Sequence, residues 1–204
     1  MMKIRNGFTL VEIAIVLIII GLFIGTVLKG TEFITNAKIK NIENNYSSIA
    51  KAVAIYRENY HTLPGDDNGA NRFEGVKAVN NGNGDGSIDG NFDSTDNDDE
   101  SRLLWLHLRS ANLVERVSGD LQQQPQNAFG GLIGISSNSS ANGAKGKNIV
   151  FFVGFTKIPG NIAIILESHS DDGLESTGRI RSNLDYTTGD NGTGNVEHKL
   201  YFSL

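Results

Sequence analysis

The sequence predicts an α+β protein in which one long N-terminal helix is followed by a head domain with an antiparallel β-sheet. Two observations point to this fold class. An apolar run near the N-terminus continues into a stretch with helical periodicity, and the last third of the chain contains short runs of β-branched and aromatic residues. A chain of 204 residues fits one domain plus an appended segment better than two full domains.

Composition and charge narrow the classes of function. The chain has 18 Lys and Arg residues against 23 Asp and Glu residues, so its net charge is −5, the wrong sign for holding a nucleic acid through its phosphates. It has no Cys, which excludes disulfides, thiolate metal sites and Cys nucleophiles. The helical zinc motif, the phosphate-binding glycine motifs and the GxSxG motif are also absent from the sequence. Because the net charge is negative, we expect no nucleic-acid partner.

The N-terminal segment has a short basic leader followed by an apolar run. Lys3 and Arg5 precede residues 8–28, in which Glu12 is the single charge. A helix of about 21 residues is roughly 30 Å long, which matches the hydrocarbon thickness of a bilayer. Because flanking basic residues stay in the cytoplasm, the chain after residue 28 is expected on the opposite side of the membrane.

Two general interpretations of this segment explain only part of it. A cleaved secretory signal has the same order of basic and apolar residues, but residues 25–32 offer a poor small-x-small cleavage site. A plain single-pass anchor explains the length and the orientation of the segment but gives Glu12 no role. A third interpretation uses the junction between the leader and the apolar run.

That junction reads Gly-Phe-Thr-Leu-Val-Glu over residues 7–12. It resembles the cleavage and methylation motif of type IV prepilins and the related pseudopilins, and it lies where that family has it. The resemblance implies that a prepilin peptidase cuts after Gly7 and methylates the new amino terminus on Phe8. It also implies a type IV pilin-like fold, in which a long helix, transmembrane and then amphipathic, packs on the antiparallel sheet of the head domain.

The resemblance further implies a structural role rather than an enzymatic one. The protein would be a pilin, minor pilin or pseudopilin that assembles with other such subunits into a type IV pilus or a type II secretion pseudopilus. An inner-membrane assembly platform and its ATPase are the further partners. The expected location is the bacterial inner membrane, then a periplasmic pseudopilus or a cell-surface pilus. The alternative function is a membrane-tethered calcium- or ligand-binding module that does not polymerise.

Glu12 is expected to take part in assembly. A carboxylate at the centre of a membrane helix costs roughly 2.5–3.5 kcal/mol, and near the end of an apolar run it still favours a partner. In the family that partner is the Phe8 amine of a neighbouring subunit. A helix places Glu12 about 6 Å along its axis from Phe8, so a small stagger between subunits brings the two charges together and sets their register. Alternatively, Glu12 merely reaches the cytoplasmic headgroups.

Residues 29–61 are expected to continue the same helix as its amphipathic half. No Gly or Pro interrupts residues 31–60, and apolar residues recur there at steps of three and four. This stripe is expected to pack under the head domain rather than to form a free coiled coil. The sequence Leu-Pro-Gly at residues 63–65 ends the helix. The stripe consists of Ile39, Ile42, Tyr46, Ile49, Val53, Tyr56 and Tyr60.

The head domain, residues 62–204, contains a Gly/Asp-rich loop at residues 66–100. Within it, oxygen-bearing side chains alternate with flexible residues as in an EF-hand calcium loop, and Gly86 lies at the position of the sharp turn. The final bidentate Glu is replaced by Phe92, so we expect at most a weak calcium site completed by a later Asp. The alternative is a solvated acidic turn. The predicted ligands are Asn81, Asn83, Asp85, Ser87, Asp89 and Asp93.

The rest of the head domain is expected to supply a second helix and three strands. The helix is predicted over residues 100–114, and a Gly/Ser/Asn-rich loop over residues 130–147 follows it. The predicted strands cover residues 148–155, 161–167 and 196–202.

No catalytic constellation is predicted. Ser168, His169 and Asp171 are close in sequence, but neighbouring residues of a strand point to opposite faces of the sheet and cannot converge as a triad. We therefore predict no enzyme.

Overall fold

A computed structural model describes residue 7, residues 9–186 and residues 196–204 of the chain. The chain divides into two compact units, Met1–Lys40 and Asn41–Leu204. Its first helix, α1 (Leu10–Tyr60), has 51 residues and contributes to both units. The predicted boundaries at residues 7, 28 and 61 stay predictions.

The first unit contains the apolar part of α1 and extends to Lys40. The side chains from Leu10 to Val27 are all exposed, and they surround the helix on every side. Within the described residues, α1 is the one helix that is long and apolar enough to cross a membrane. A helix satisfies its backbone hydrogen bonds internally, which is what a segment in lipid requires.

The remaining part of α1 lies in the second unit and has the expected amphipathic pattern. Ile42, Ile49, Val53 and Tyr56 are buried, whereas the basic residues of the opposite face are exposed. The helix ends at Tyr60. This confirms the helical stripe from Ile42 onward.

Four strands form one antiparallel sheet with the order β1-β2-β4-β3. The strands are β1 (Ile133–Ser137), β2 (Phe151–Pro159), β3 (Ile180–Ser182) and β4 (Glu197–Ser203). Two further helices belong to the same unit, α2 (Glu100–Ser110) and α3 (Gly160–Ser170). The α+β, pilin-like fold class is therefore confirmed, and β2 and β4 overlap two of the predicted strands.

The prediction of a strand at residues 161–167 is wrong, because these residues form most of α3. A short apolar run is compatible with either element. Here Ile162, Ala163 and Leu166 are buried while Ile164 is exposed, which is the spacing of a helix face and not the alternation of a strand.

The prediction of a loop over all of residues 130–147 is also wrong, because this stretch contains β1. Ile133 and Ile135 are buried, and they are the two apolar anchors of an otherwise Gly- and Ser-rich strand. A Cβ on Gly134 would lie 1.7 Å from the Phe92 carbonyl oxygen. The glycine therefore allows a close backbone approach, and the low β-propensity of β1 reflects that packing.

An aromatic cluster fixes the sheet against the head loop. The rings of Phe92, Phe152 and Tyr201 meet edge to face with centroid distances of 5.3–5.8 Å. Gly154 lies beneath the Phe92 ring, and a Cβ added there would meet that ring at 2.3 Å. Contacts this close leave no room for a larger residue at position 154.

We predict that Gly154→Ala destabilises the second unit by about 1–3 kcal/mol, because the Phe92 ring must shift to admit the new methyl group. Denaturant unfolding of the full chain in non-ionic detergent, followed by Trp105 fluorescence, measures the change. Gly30→Ala is the control, since a Cβ there meets nothing within 4 Å. Equal stability of Gly154→Ala and the parent protein would contradict this packing.

Candidate functional site

The described part of the N-terminal motif forms the start of α1. Thr9 precedes the first helical residue, and its hydroxyl accepts a hydrogen bond from the Glu12 amide at 3.2 Å. In return, Glu12 Oε2 accepts the Thr9 amide at 2.7 Å and the Thr9 hydroxyl at 2.8 Å. This reciprocal pair is a capping box, which satisfies two amides at the helix N-terminus.

The capping box holds the Glu12 carboxylate at the start of the apolar helix. Gly7 lies just ahead of it and is exposed, while Lys3, Arg5 and Phe8 lie outside the described residues. Glu12 Oε1 accepts no hydrogen bond from any residue that the structure describes. A negative charge in the first turn also interacts favourably with the helix dipole. Sequence reasoning missed the cap, although Thr-x-x-Glu before an apolar run is its signature.

A second polar site lies in the head loop, where two buried carboxylates bind backbone amides. Asp66 Oδ1 accepts the amides of Gly84 and Asp85 at 2.6 and 2.9 Å, and its Oδ2 accepts the Gly86 amide at 2.9 Å. Glu100, the first residue of α2, accepts two more amides from residues 83 and 89 at 2.8 and 3.0 Å. Burial raises the pKa of Glu100.

Asp66, Asp85 and Glu100 each place a carboxylate oxygen within 4.8 Å of the others. Oxygen ligands of this kind suit Ca²⁺. Only Asp85 belongs to the predicted ligand set. Asp66 and Glu100 were not predicted, because they lie about 15 to 20 residues from Asp85 and no local motif links them to the loop.

The other predicted ligands make different contacts. Asn81 donates to the Asn68 carbonyl at 2.7 Å and accepts the Asn71 amide at 2.9 Å, so it ties the loop to a neighbouring turn. Asp93 forms an ion pair with Lys199 of β4 at 2.6 Å.

Asn83 and Ser87 lie within the loop itself. Asn83 Oδ1 accepts the Asp85 amide, and Asp85 Oδ1 accepts the Ser87 amide, both at 2.8 Å. These are local Asx turns, which hold a loop without a metal. Asp89 is exposed. Calcium binding in the loop therefore stays a prediction.

The base of the loop is fixed by a buried network around Asp67. Its carboxylate accepts the Tyr56 hydroxyl at 2.6 Å and pairs with Arg72. The hydrogen bonds from Arg72 and Tyr56 outweigh the burial that opposes ionisation, so the pKa of Asp67 is lowered. His107 joins the same region, because its Nδ1 accepts the Gly65 amide at 3.0 Å. Burial lowers the pKa of His107, which keeps the imidazole neutral for this bond.

The residues that were weighed as a catalytic triad lie on α3 and after it. Ser168 and His169 are exposed neighbours on the helix, and the Ser168 hydroxyl donates to the Ile165 carbonyl at 3.0 Å. Adjacent residues of a helix do not face each other. The reason given from the sequence assumed a strand, but the helix keeps the two groups apart as well.

A comparison with known families identifies a motif at the N-terminus. Residues 2–28 match the model of the prokaryotic N-terminal methylation motif. Neither the curated proteins nor the solved structures give a match. Together with α1, this match defines a protein with an apolar N-terminal helix and a processing motif at its start. That motif is the hallmark of type IV prepilins and pseudopilins, and it agrees with the resemblance noted at residues 7–12.

We predict that the melting temperature of the full chain is higher in calcium than in EGTA. An ion that binds only the folded state stabilises it by about 2.7 kcal/mol when its free concentration is roughly 100 times its Kd. Asp85→Asn should abolish the rise, because the amide keeps the Asx turn but loses the charge. The control is Asp96→Asn, an exposed acid outside the cluster. A rise that persists in Asp85→Asn, or no rise in the parent protein, would count against the site.

Proposed function

We propose that the protein is a structural subunit, a pilin, minor pilin or pseudopilin, that assembles into a type IV pilus or a type II secretion pseudopilus. Prepilin peptidase cuts it after Gly7 and methylates Phe8. The observation that carries the proposal is the methylation motif over residues 2–28, which runs directly into an exposed apolar helix. The resemblance to prepilins supplies the assembly platform and its ATPase as further partners.

The exposed helix supports polymerisation. Side chains that are apolar on every face need a covering of lipid or of similar helices, because water is unfavourable for them. Before assembly, the inner membrane supplies that covering and the head domain lies outside the cytoplasm. After assembly, helices of neighbouring subunits replace the lipid.

Glu12 supplies the register of that assembly. Its Oε2 is held by Thr9, and these bonds reduce the cost of placing the carboxylate in the membrane before assembly. Its Oε1 has no partner among the described residues and is available to the methylated amine of a neighbouring subunit. In a medium of low dielectric constant, a stagger that leaves either charge unmatched is disfavoured.

We predict that protein purified from membranes has the mass of residues 8–204 plus one methyl group. Gly7→Leu should leave the full precursor, because the bulky side chain blocks the peptidase, whereas Gly25→Leu should be processed normally. Intact mass spectrometry measures all three. A secretory signal would instead give a cut beyond residue 25, and a plain anchor would keep its leader even without a substitution. Either result would exclude prepilin processing.

We further predict that Glu12→Gln is processed normally but fails to assemble. The glutamine oxygen can still accept the Thr9 amide, so the cap is retained while the charge is lost. Sheared filaments and chemical crosslinking between subunits measure assembly. Glu32→Gln is the matched control, because Glu32 lies on the same helix and, among the described residues, forms only an exposed pair with Lys29. Normal assembly of Glu12→Gln would exclude Glu12 as the group that sets the register, and a parent protein that forms no filaments or crosslinks would favour the membrane-tethered module.

A further inference from the structure

A cavity of about 560 Å³ opens in the second unit between α1, α2 and residues 113–126. We call it the Trp105 cavity. Its volume lies within the range of small-molecule sites, roughly 300–1,000 Å³. The apolar residues of its lining include Ile49, Trp105, Val114 and Ile133. The cavity thus has the apolar lining that suits a small organic ligand, and its few polar groups decide which one.

Arg109 is the charged group of this wall. It is only 2% exposed, and its Nε and Nη1 donate to the carbonyls of Glu115 and Leu121 at 3.3 and 2.5 Å. Both partners are neutral. No carboxylate of the described residues forms an ion pair with Arg109, since Asp120, whose charge acts on it, pairs with Arg102 instead.

A buried guanidinium without a counter-ion is unfavourable, because buried charges are normally paired. Burial lowers the pKa of Arg109, yet guanidinium groups stay protonated in proteins. Among the described residues, nothing accepts a hydrogen bond from its second terminal nitrogen, Nη2. The charge of Asp120 stabilises this cation, and the Trp105 ring centroid lies 5.7 Å from it, but no described carboxylate binds it directly. The wall of the cavity therefore holds a cation whose Nη2 has unused hydrogen-bonding capacity.

Two further polar atoms in the wall lack partners. Trp105 Nε1 and Gln124 Oε1 are buried and form no hydrogen bond with any described residue, although both residues line the cavity. A buried donor or acceptor without a partner is unfavourable. Three polar groups of the lining residues, a cation, a donor and an acceptor, thus have unused bonding capacity.

We propose that the Trp105 cavity binds a small carboxylate with an apolar body, of the size and character of benzoate. The carboxylate pairs with Arg109, because a guanidinium binds a carboxylate through parallel hydrogen bonds. The apolar body lies against Leu113, Val114 and Val117, the half-buried apolar residues of the lining. The site does not depend on the proposed assembly role, since every residue that lines it belongs to the second unit.

The chain offers a direct readout, because Trp105 is its single tryptophan. The full-length protein in non-ionic detergent is titrated at neutral pH with benzoate and with benzamide, a neutral analogue of nearly the same shape. Benzoate should change the Trp105 emission saturably and raise the melting temperature. Benzamide should bind roughly 10- to 100-fold more weakly, the loss expected when a hydrogen bond to a charged group is weakened.

Two variants test separately the charge of Arg109 and the volume of the Trp105 cavity. Arg109→Gln should reduce benzoate binding to the level of benzamide. Because Arg109 also holds two backbone carbonyls, Ser48→Leu provides a second test. This exposed residue of α1 lines the cavity, and leucine should narrow the space and weaken the binding of both probes. Asn44→Leu is the matched control, an exposed residue of α1 outside the lining.

Equal affinity for benzoate and benzamide would overturn the proposal, as would the absence of any saturable response to benzoate. An unchanged benzoate affinity in Ser48→Leu would place the ligand elsewhere and overturn it too. Circular dichroism of each variant establishes that the head domain is folded before binding is compared.

Discussion

The structure depends on one constraint, that a single helix must suit two different surroundings. The first part of α1 is apolar on every face, whereas its later part is apolar only along a stripe that includes Ile42, Val53 and Tyr56. Lipid or neighbouring helices cover the first pattern, and a folded head domain covers the second. The change from one pattern to the other occurs without a helix break, so α1 remains a continuous element of 51 residues.

Three acidic side chains of the candidate sites, Glu12, Asp66 and Glu100, accept backbone hydrogen bonds. Glu12 binds the Thr9 amide at the start of α1, and Asp66 and Glu100 bind five amides of the head loop between them. Hydrogen bonds to a charged group contribute about 1.5–3 kcal/mol each, more than a neutral pair. The head loop thereby gains a fixed conformation although it contains almost no regular structure.

Sequence patterns predicted the elements whose signal is local and periodic. The stripe of α1, the second helix and strands β2 and β4 were all within reach, because burial repeats at a fixed interval along each. Element α3 was mistaken for a strand because a run of five apolar residues, 162–166, is compatible with both periods. Strand β1 was missed because its anchors are two isoleucines among glycines and serines, and its stability comes from pairing with β2 rather than from its own composition.

The candidate sites follow the same division. The N-terminal motif is contiguous, so the sequence alone was enough to predict Gly7 and Phe8 as processing residues and Glu12 as an assembly residue. The contacts of Asp66 with the head loop span 18 to 20 residues, and no spacing rule relates residues that far apart across an irregular segment. The hydrogen bonds of Arg109 to neutral carbonyls are a property of tertiary packing, since Asp120 pairs with Arg102 instead.

These differences separate the two functions proposed for the chain. The proposed assembly depends on the first turn of α1 and its apolar surface, where each group is local in sequence and the energetic demand is set by the membrane. The proposed ligand binding in the head domain depends on groups that only the folded second unit brings together. A substitution at the start of α1 is therefore expected to act on polymerisation with the head domain unchanged, and a substitution in the Trp105 cavity is expected to act on binding with polymerisation unchanged.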